Sequence, residues 1–102
     1  MSDRLTMRIT YPMKDLRPRP SIKSNIKREH WDEVIGEYVR GQIGNGIDKT
    51  PAIDRDVYEI TIQLDPTDDT YYVKHNCGNK GLRDGILMET LRQIAVRNVT
   101  EE

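Results

Sequence analysis

Three segments of the chain alternate apolar and polar residues with a period of two, and this pattern constrains the fold more than any other feature of the sequence. They are Leu5–Tyr11, Tyr58–Leu64 and Tyr71–Cys77. A period of two puts every second side chain on the same face of a β-strand, so each segment predicts a strand with one buried and one solvated face. The last two flank residues 65–69, Asp-Pro-Thr-Asp-Asp, which are typical of a turn. We therefore predict a β-hairpin formed by these two strands.

A hairpin centred on that turn implies a definite register. Register decides which side chains reach the core, because a slip of one residue would turn every side chain to the other face. On the apolar face, the expected pairs are Leu64 with Tyr71, Ile62 with Val73, Ile60 with His75 and Tyr58 with Cys77. On the polar face, the expected pairs are Thr61 with Lys74 and Glu59 with Asn76.

Two further segments repeat apolar residues at the spacing of an α-helix. The first predicts a helix over about residues 26–40, with Ser24 or Asn25 as its N-cap. The second predicts a helix that begins at Leu82 and frays near Asn98. Each has an apolar side and a polar side, so we expect each helix to pack its apolar side on the sheet.

The resulting order of elements is β-α-β-β-α, which predicts an α+β fold. We expect a single domain over residues 1–102 with two layers, a three-stranded sheet and two helices on one of its faces. A right-handed crossover through the first helix would lay the first strand parallel to the second. We expect a basic, proline-containing connector at residues 12–25 and a loose C-terminus at residues 99–102. The two open edges of such a sheet favour a homodimer.

The composition leaves material for only a small core. Leu, Ile and Val together number 23 of 102 residues and Phe is absent, a share just above the roughly one-fifth below which chains tend to be disordered. A single Cys excludes a disulfide within the chain, and no stretch approaches the ~20 apolar residues of a membrane span. These features favour a cytoplasmic protein without membrane contact.

The net charge of -1 conceals a separation of charge along the chain. Residues 1–30 carry eight Lys and Arg against three Asp and Glu, whereas residues 31–70 carry three against ten. The leading hypothesis is therefore a non-enzymatic accessory, adaptor or inhibitor protein that binds another protein through an acidic surface or an open sheet edge. Its candidate residues, which otherwise form an ordinary solvated helix face, are Glu29, Asp32, Glu33 and Glu37.

The basic first third supports a second hypothesis, the binding of nucleic acid. Tyr11 and Trp31 flank this tract and would stack on bases if they were exposed, but Trp31 lies on the apolar side of the first predicted helix, which favours a place in the core. The pI near 6.1 is low for a nucleic-acid-binding domain, and packing of the tract on acidic residues of the same chain or of a second copy explains it without nucleic acid. The candidate residues are Arg17, Arg19, Lys23, Lys27 and Arg28.

A third candidate is the segment from Cys77 to Arg83, between the last strand and the second helix. It resembles the phosphate-binding loop of cysteine-dependent phosphatases, in which a thiolate attacks phosphorus and an Arg binds the phosphate oxygens. The resemblance implies cysteine-dependent phosphoryl chemistry or, without catalysis, an anion site at Cys77, Gly78, Lys80 and Arg83. Lys80 and the helix terminus would lower the pKa of Cys77. Asp84 stands where that family usually has Ser or Thr, and a glycine-containing turn that begins a helix explains the segment without a ligand.

The sequence contains no complete catalytic set, so we predict no catalytic residues and no cofactor. His75 and Cys77 alternate on one strand face and would supply two metal ligands, whereas zinc requires three or four from the protein. His30 and the acidic residues lie on distant segments. We therefore expect no metal site.

Overall fold

Five strands and two α-helices form in the residues that the computed structural model describes, which are 4–16, 18–42, 50–65, 67 and 70–102. The predicted α+β class and both helices are confirmed, whereas the prediction of a three-stranded sheet is wrong, because the sheet has five strands. A 3-10 turn at Arg28–His30 leads into the first helix. In chain order the elements are β1 (Leu5–Pro12), β2 (Ser21–Ser24), α1 (Trp31–Gln42), β3 (Val57–Asp65), β4 (Thr70–His75), α2 (Lys80–Ala95) and β5 (Thr100–Glu101).

The strands are ordered β4-β3-β1-β2-β5, and every neighbouring pair is antiparallel except β2 and β5. The first strand is therefore antiparallel to β3, and the expected parallel pairing of these two strands is wrong. The reason is that β2 lies between β1 and α1 along the chain and reverses its direction. The crossover through α1 thus joins β2 to β3, which run parallel to each other with β1 between them.

The predicted hairpin is confirmed as β3 and β4. The three apolar pairs nearest the turn have the expected register, and so does the pair of Thr61 with Lys74. Tyr58 does not pair with Cys77, because β4 ends at His75. A register that leaves one strand face apolar throughout is the one that buries the most apolar surface, which is why the alternation predicted it correctly.

Further hydrogen bonds, two of them to side chains, lie at both ends of the hairpin. The Glu59 N–H donates to Asn76 Oδ1 at 2.8 Å, and the Asn76 N–H donates to the Glu59 carbonyl at 3.3 Å, so these two residues meet as expected. At the other end, the Thr67 N–H donates to the Asp65 carboxylate at 2.9 Å, a bond that favours a turn. The remaining residues of the expected turn lie outside the described residues, namely Pro66, Asp68 and Asp69.

The expected connector at residues 12–25 contains β2, and the expected loose C-terminus contains β5, so both expectations are corrected. The Thr100 N–H donates to the Pro20 carbonyl at 2.8 Å. The Glu102 N–H donates to the Ile22 carbonyl at 3.0 Å. Strands of four and two residues are too short to show a periodic pattern, which is why the sequence did not reveal them.

The first helix begins at Trp31 rather than near Ile26, and the two residues expected to cap it bind to β1, although the Ser24 hydroxyl also accepts the Ile26 N–H at 2.9 Å. The Ser24 hydroxyl donates to the Thr6 carbonyl at 2.7 Å. The Asn25 side chain accepts the Thr6 N–H at 2.9 Å. These bonds join the end of β2 to β1, and the chain reaches α1 only after the 3-10 turn.

The second helix begins at Lys80, two residues earlier than predicted. Asn79 is its N-cap, since Asn79 Oδ1 accepts the Leu82 N–H at 2.7 Å. Gly78, immediately before the cap, has a φ of +85°, a conformation that side-chain-bearing residues rarely adopt. A Cβ at this position would lie 2.5 Å from the backbone nitrogen of Ile53, so the close approach of two backbone segments also requires glycine.

Both helices cover the same face of the sheet. One apolar cluster joins them to it, with Met7, Ile9, Ile22, Ile60 and Ile62 from the strands and Trp31, Ile35, Ile86 and Leu87 from the helices. In the described ranges, no helix covers the opposite face, which is polar. We call this surface the open sheet face, and it is formed by Thr6, Arg8, Thr10, Lys23, Glu59, Thr61, Gln63, Asp65, Tyr72 and Lys74.

Candidate functional site

The four acids proposed from the sequence lie together on the outer side of the helical layer. Glu29 lies in the 3-10 turn, and the other three follow on α1 at a spacing that keeps them on one side of the helix. All four side chains belong to exposed residues. The opposite side of α1 contributes Trp31 and Ile35 to the core. We call these residues the acidic helix face: Glu29, Asp32, Glu33 and Glu37.

None of these four carboxylates forms an ion pair with a Lys or Arg of the described residues. His30 lies 3.7 Å from Glu29 and 3.8 Å from Glu33. The Tyr71 hydroxyl donates to Glu37 at 3.3 Å. Like charges at this helical spacing repel each other by a few tenths of a kcal/mol per pair. The acidic helix face therefore presents carboxylates that the described cations leave available to a partner.

The basic first third of the chain meets acidic residues at other places. Arg28 pairs with Glu101 of β5 at 3.7 Å. Among the described residues, two ion pairs join residues 1–30 to residues 31–70: Arg8 with Glu59 at 2.7 Å and Lys14 with Asp56 at 2.8 Å. Charge neutralisation inside the fold is thus partial, and it takes place away from the acidic helix face.

Of the five basic residues proposed for nucleic acid, the structure describes four, and two of them lie on different parts of the protein. Lys23 lies on β2 in the open sheet face, whereas the Arg28 guanidinium lies 5.9 Å from the centre of the Trp31 ring. Arg19 and Lys27 are exposed, and Arg17 lies outside the described residues.

The aromatic residues expected beside this tract are unavailable for stacking. Trp31 is 1 % exposed and Tyr11 is 5 % exposed. The Trp31 indole N–H donates to the Ile26 carbonyl at 2.9 Å, which satisfies its polar atom inside the core. Base stacking by Tyr11 and Trp31 is therefore excluded in this fold.

Cys77 is fully buried at the end of the hairpin. Burial raises the pKa of its thiol to about 11, although Arg83 acts in the opposite direction. The expectation that the loop would lower this pKa is wrong, because the thiol is buried in the apolar core and desolvation disfavours the thiolate. At neutral pH Cys77 is a protonated thiol, and the thiolate is the nucleophilic form.

The remaining residues of the candidate anion loop are used to build the start of α2. Arg83 pairs with Asp84 at 3.0 Å, and both side chains are largely buried. The Arg83 guanidinium also lies 5.5 Å from the centre of the Tyr38 ring. Lys80 is the first residue of the helix, and Gly78 provides the turn before it. One terminal nitrogen of the Arg83 guanidinium is buried without a hydrogen-bond partner among the described residues, so the anion site stays a prediction.

Three residues of the open sheet face were missed as candidates, although they lie on predicted strands: Arg8, Tyr72 and Lys74. Lys23 pairs with Arg8, and Lys74 lies two strands further on in the same row. The polar residues that alternate with the apolar ones in each predicted strand could have indicated this surface, because they share one face of the sheet once the strands pair. The alternating pattern places each of these residues on a polar face, but only the order of the strands aligns them with Lys23.

Comparison with known proteins gives no relative from which a function could be transferred. No known family, curated protein or solved structure matches this chain. Within the described ranges, no three His, Cys, Asp or Glu side chains converge to hold a metal ion. No helix in the same ranges has the length and apolar content that crossing a membrane requires. Its function must therefore be argued from the two surfaces of the protein itself.

Proposed function

We propose that this protein is a non-enzymatic accessory factor that binds a basic surface of another protein through the acidic helix face. The observation that carries the proposal is the set of four exposed carboxylates without a Lys or Arg counter-ion in the described part of the chain. A partner that supplies cations would relieve their mutual repulsion. It would also be attracted over a distance before contact, because opposite surface potentials increase the rate of association.

The rigid support beneath the acidic helix face favours binding. Trp31, Ile35, Tyr38 and Val39 anchor α1 in the core, and each is at most 4 % exposed. A preformed helix keeps the carboxylates in place before a partner arrives, so binding costs little conformational entropy.

Charge reversal on the helix tests this proposal. In Glu33→Lys/Glu37→Lys, two exposed carboxylates become cations, and the core side of α1 is unchanged. We expect the tagged wild-type protein to capture a basic protein from a lysate of its native cells. The double variant should capture at least about tenfold less of this protein, which corresponds to a loss of about 1.4 kcal/mol in binding free energy. Quantitative mass spectrometry measures the ratio, and circular dichroism confirms that the variant is folded.

The matched control reverses two exposed acids outside the helix. Asp15→Lys/Asp54→Lys changes the net charge by the same amount, and both residues are exposed. The proposal requires that this control retains the partner. Equal capture by wild type and Glu33→Lys/Glu37→Lys would refute it, and so would equal loss in both double variants, because net charge alone would then explain the result.

We also propose that the protein forms a homodimer and is located in the cytoplasm. The strands at the two edges of the sheet are β4 and β5, and β5 is only two residues long. A homodimer through a sheet edge would therefore use β4. Sedimentation equilibrium tests this prediction, since a purely monomeric protein at every concentration would contradict it.

The free Cys77 thiol is consistent with a reducing compartment.

A further inference from the structure

A row of three cations crosses the open sheet face. Lys23 on β2 is paired with Arg8 on β1, and Arg8 is paired with Thr61 on β3. Thr61 is in turn paired with Lys74 on β4. Neighbouring strands are about 4.8 Å apart, so the row from Lys23 to Lys74 spans roughly 14 Å across four strands. We call these three cations the cationic row.

Two members of the cationic row are like charges placed directly opposite each other. Arg8 and Lys23 are cross-strand partners, and such a pair is destabilising relative to a neutral one. Both residues are exposed, so neither is required by the core. A sheet face with only a structural role would gain stability from an acid or a threonine at one of the two positions. An anionic ligand bound between the two side chains would turn this repulsion into attraction.

Acids lie beside the ends of the row as well as its centre, since Glu59 shares a depression with Lys74, but among the described residues only Arg8 at the centre forms an ion pair with one. Glu59 lies 2.7 Å from Arg8, and their hydrogen bond raises the pKa of the guanidinium. Glu102 also lies near Arg8 and lines a depression in the open sheet face that includes Lys23. Lys23 and Lys74, at the two ends of the row, form no ion pair with an acid of the described residues. The ends of the row therefore carry the available positive charge, and an extended polyanion could contact both.

An exposed aromatic ring lies beside the row. Tyr72 precedes Lys74 by two residues on β4, so both side chains are on the same face at a separation of roughly 7 Å along the strand. Tyr72 is 65 % exposed and is paired with Gln63 on β3. An exposed ring next to cations offers a stacking surface for a nucleobase, and the neighbouring Gln63 amide can donate and accept hydrogen bonds at a base edge.

We infer that the open sheet face binds single-stranded nucleic acid, with phosphates on the cationic row and a base on Tyr72. A single strand is favoured over a duplex because a base can stack on Tyr72 only when its face is not already covered by base stacking within a helix. Hydroxyl and amide side chains between the cations contact sugars and base edges. This surface lies on the opposite layer from the acidic helix face, so the inference does not depend on the proposed protein partner.

Fluorescence anisotropy with a labelled oligothymidylate and an oligouridylate of about 20 nucleotides tests the inference, because such probes exceed the usual site sizes for single strands. Binding to at least one probe should weaken as salt rises, since each neutralised phosphate of a single strand contributes about 0.7 to the slope of log K against log salt. Lys23→Gln/Lys74→Gln should lower that slope by about 1.4. A matched Lys27→Gln/Arg40→Gln variant, which removes two exposed cations outside the row, should keep the wild-type slope.

The contribution of the ring is tested separately. Tyr72→Ala should weaken binding by roughly 5- to 150-fold and leave the salt slope unchanged, because stacking on one base contributes about 1–3 kcal/mol. Tyr72→Phe retains the ring and should bind like the wild type. A duplex of the same length should bind less tightly than the single strands.

Three results would overturn the inference. The first is the absence of salt-sensitive binding to both probes at about 50 mM salt. The second is an unchanged salt slope in Lys23→Gln/Lys74→Gln. The third is wild-type affinity in Tyr72→Ala together with equal affinity for single strands and duplex, which would indicate a general attraction of polyanions. Failure of the acidic helix face to capture a protein would affect none of these measurements.

Discussion

The two faces of the sheet are built from the same strands, yet they have opposite roles. Ile60 and Thr61 are neighbours in β3, but Ile60 is fully buried under the helices and Thr61 lies between the cations of the open sheet face. The covered face is almost entirely apolar, whereas the open face carries hydroxyl, amide and charged groups. Stability is concentrated on one side of each strand, which leaves the other side free to vary and to bind. Substitution effects should therefore alternate with residue parity.

The largest expected effect separates the two faces within β3. Ile60→Ala should lower the free energy of unfolding by about 2–5 kcal/mol, because it removes buried methyl groups and leaves a cavity. Thr61→Ala, one residue away, should cost less than about 1 kcal/mol, which is the range of strand propensity. Urea unfolding measures both values. Similar losses in the two variants would contradict the division of the sheet into a structural face and an open face.

The second effect concerns the passage from the sheet to the helical layer. Gly78→Ala should cost roughly 1–3 kcal/mol, because a Cβ at a φ of +85° is strained and would also meet the backbone of Ile53. The matched control is Gly85→Ala on the exposed side of α2, where a Cβ meets open space. It should stabilise the protein by about 0.5–1 kcal/mol, because glycine weakens a helix interior. Thermal unfolding of both variants distinguishes the signs, and a gain in Gly78→Ala would show that the turn tolerates a side chain.

The third effect tests how α2 is fixed above the core. Asn79→Ala should cost about 1 kcal/mol, because the Leu82 N–H loses its acceptor. Asn79→Asp keeps an acceptor and places a negative charge at the helix N-terminus, so it should retain the stability of the wild type. Chemical denaturation compares the three proteins. If both variants lose the same free energy of unfolding, the contribution of Asn79 to stability does not come from the cap hydrogen bond.

The smallest effect is a pH dependence that arises in the covered layer, from Cys77. The pKa of Cys77 is raised to about 11 in the fold from an ordinary value of 9.0, so folding disfavours the thiolate. The unfolded chain releases its proton first as pH rises. The stabilisation is therefore complete below pH 9.0 and is lost as pH rises towards about 11. At a pH of about 9.5 the loss should be roughly 0.8 kcal/mol.

The measurement for Cys77 is the difference between the stability curves of the wild type and Cys77→Ala from neutral pH to about pH 9.5, since subtraction removes the titration of other groups. The wild type should lose stability relative to Cys77→Ala over this range. Rapid alkylation of the native thiol at neutral pH would contradict both the burial and the raised pKa. It would also reopen the phosphatase-like interpretation of the loop.

The hairpin shows how far sequence patterns extend. Alternation and a turn between two segments were sufficient to predict the register of β3 and β4, because both strands are long and adjacent along the chain. The alternating pattern also predicted β1, but it did not predict the neighbouring strand β2. This strand has only four residues, of which only Ile22 is buried. Ser24 and Asn25 resembled helix caps, and their bonds to Thr6 became visible only once β1 and β2 were paired.

The candidate surfaces divide in the same way. The acidic helix face could be predicted because residues three and four apart on a helix are neighbours whatever the rest of the fold does. The cationic row could not, because Arg8, Lys23 and Lys74 are far apart in the sequence. Their meeting depends on the strand order β4-β3-β1-β2. The raised pKa of Cys77 also depends on the fold, because the thiol is removed from water only when the core forms around it.

The sequence by itself determined the faces of the long strands, the two amphipathic helices and the exposed acids of α1, since each follows from a local repeat. The tertiary structure decided the strand order and the alignment of three cations on one open surface. The physical reason is that a repeat only sorts side chains to one side of an element. Which elements become neighbours depends on contacts between distant segments, and these form only where they offset the chain entropy lost in closing the loops between them.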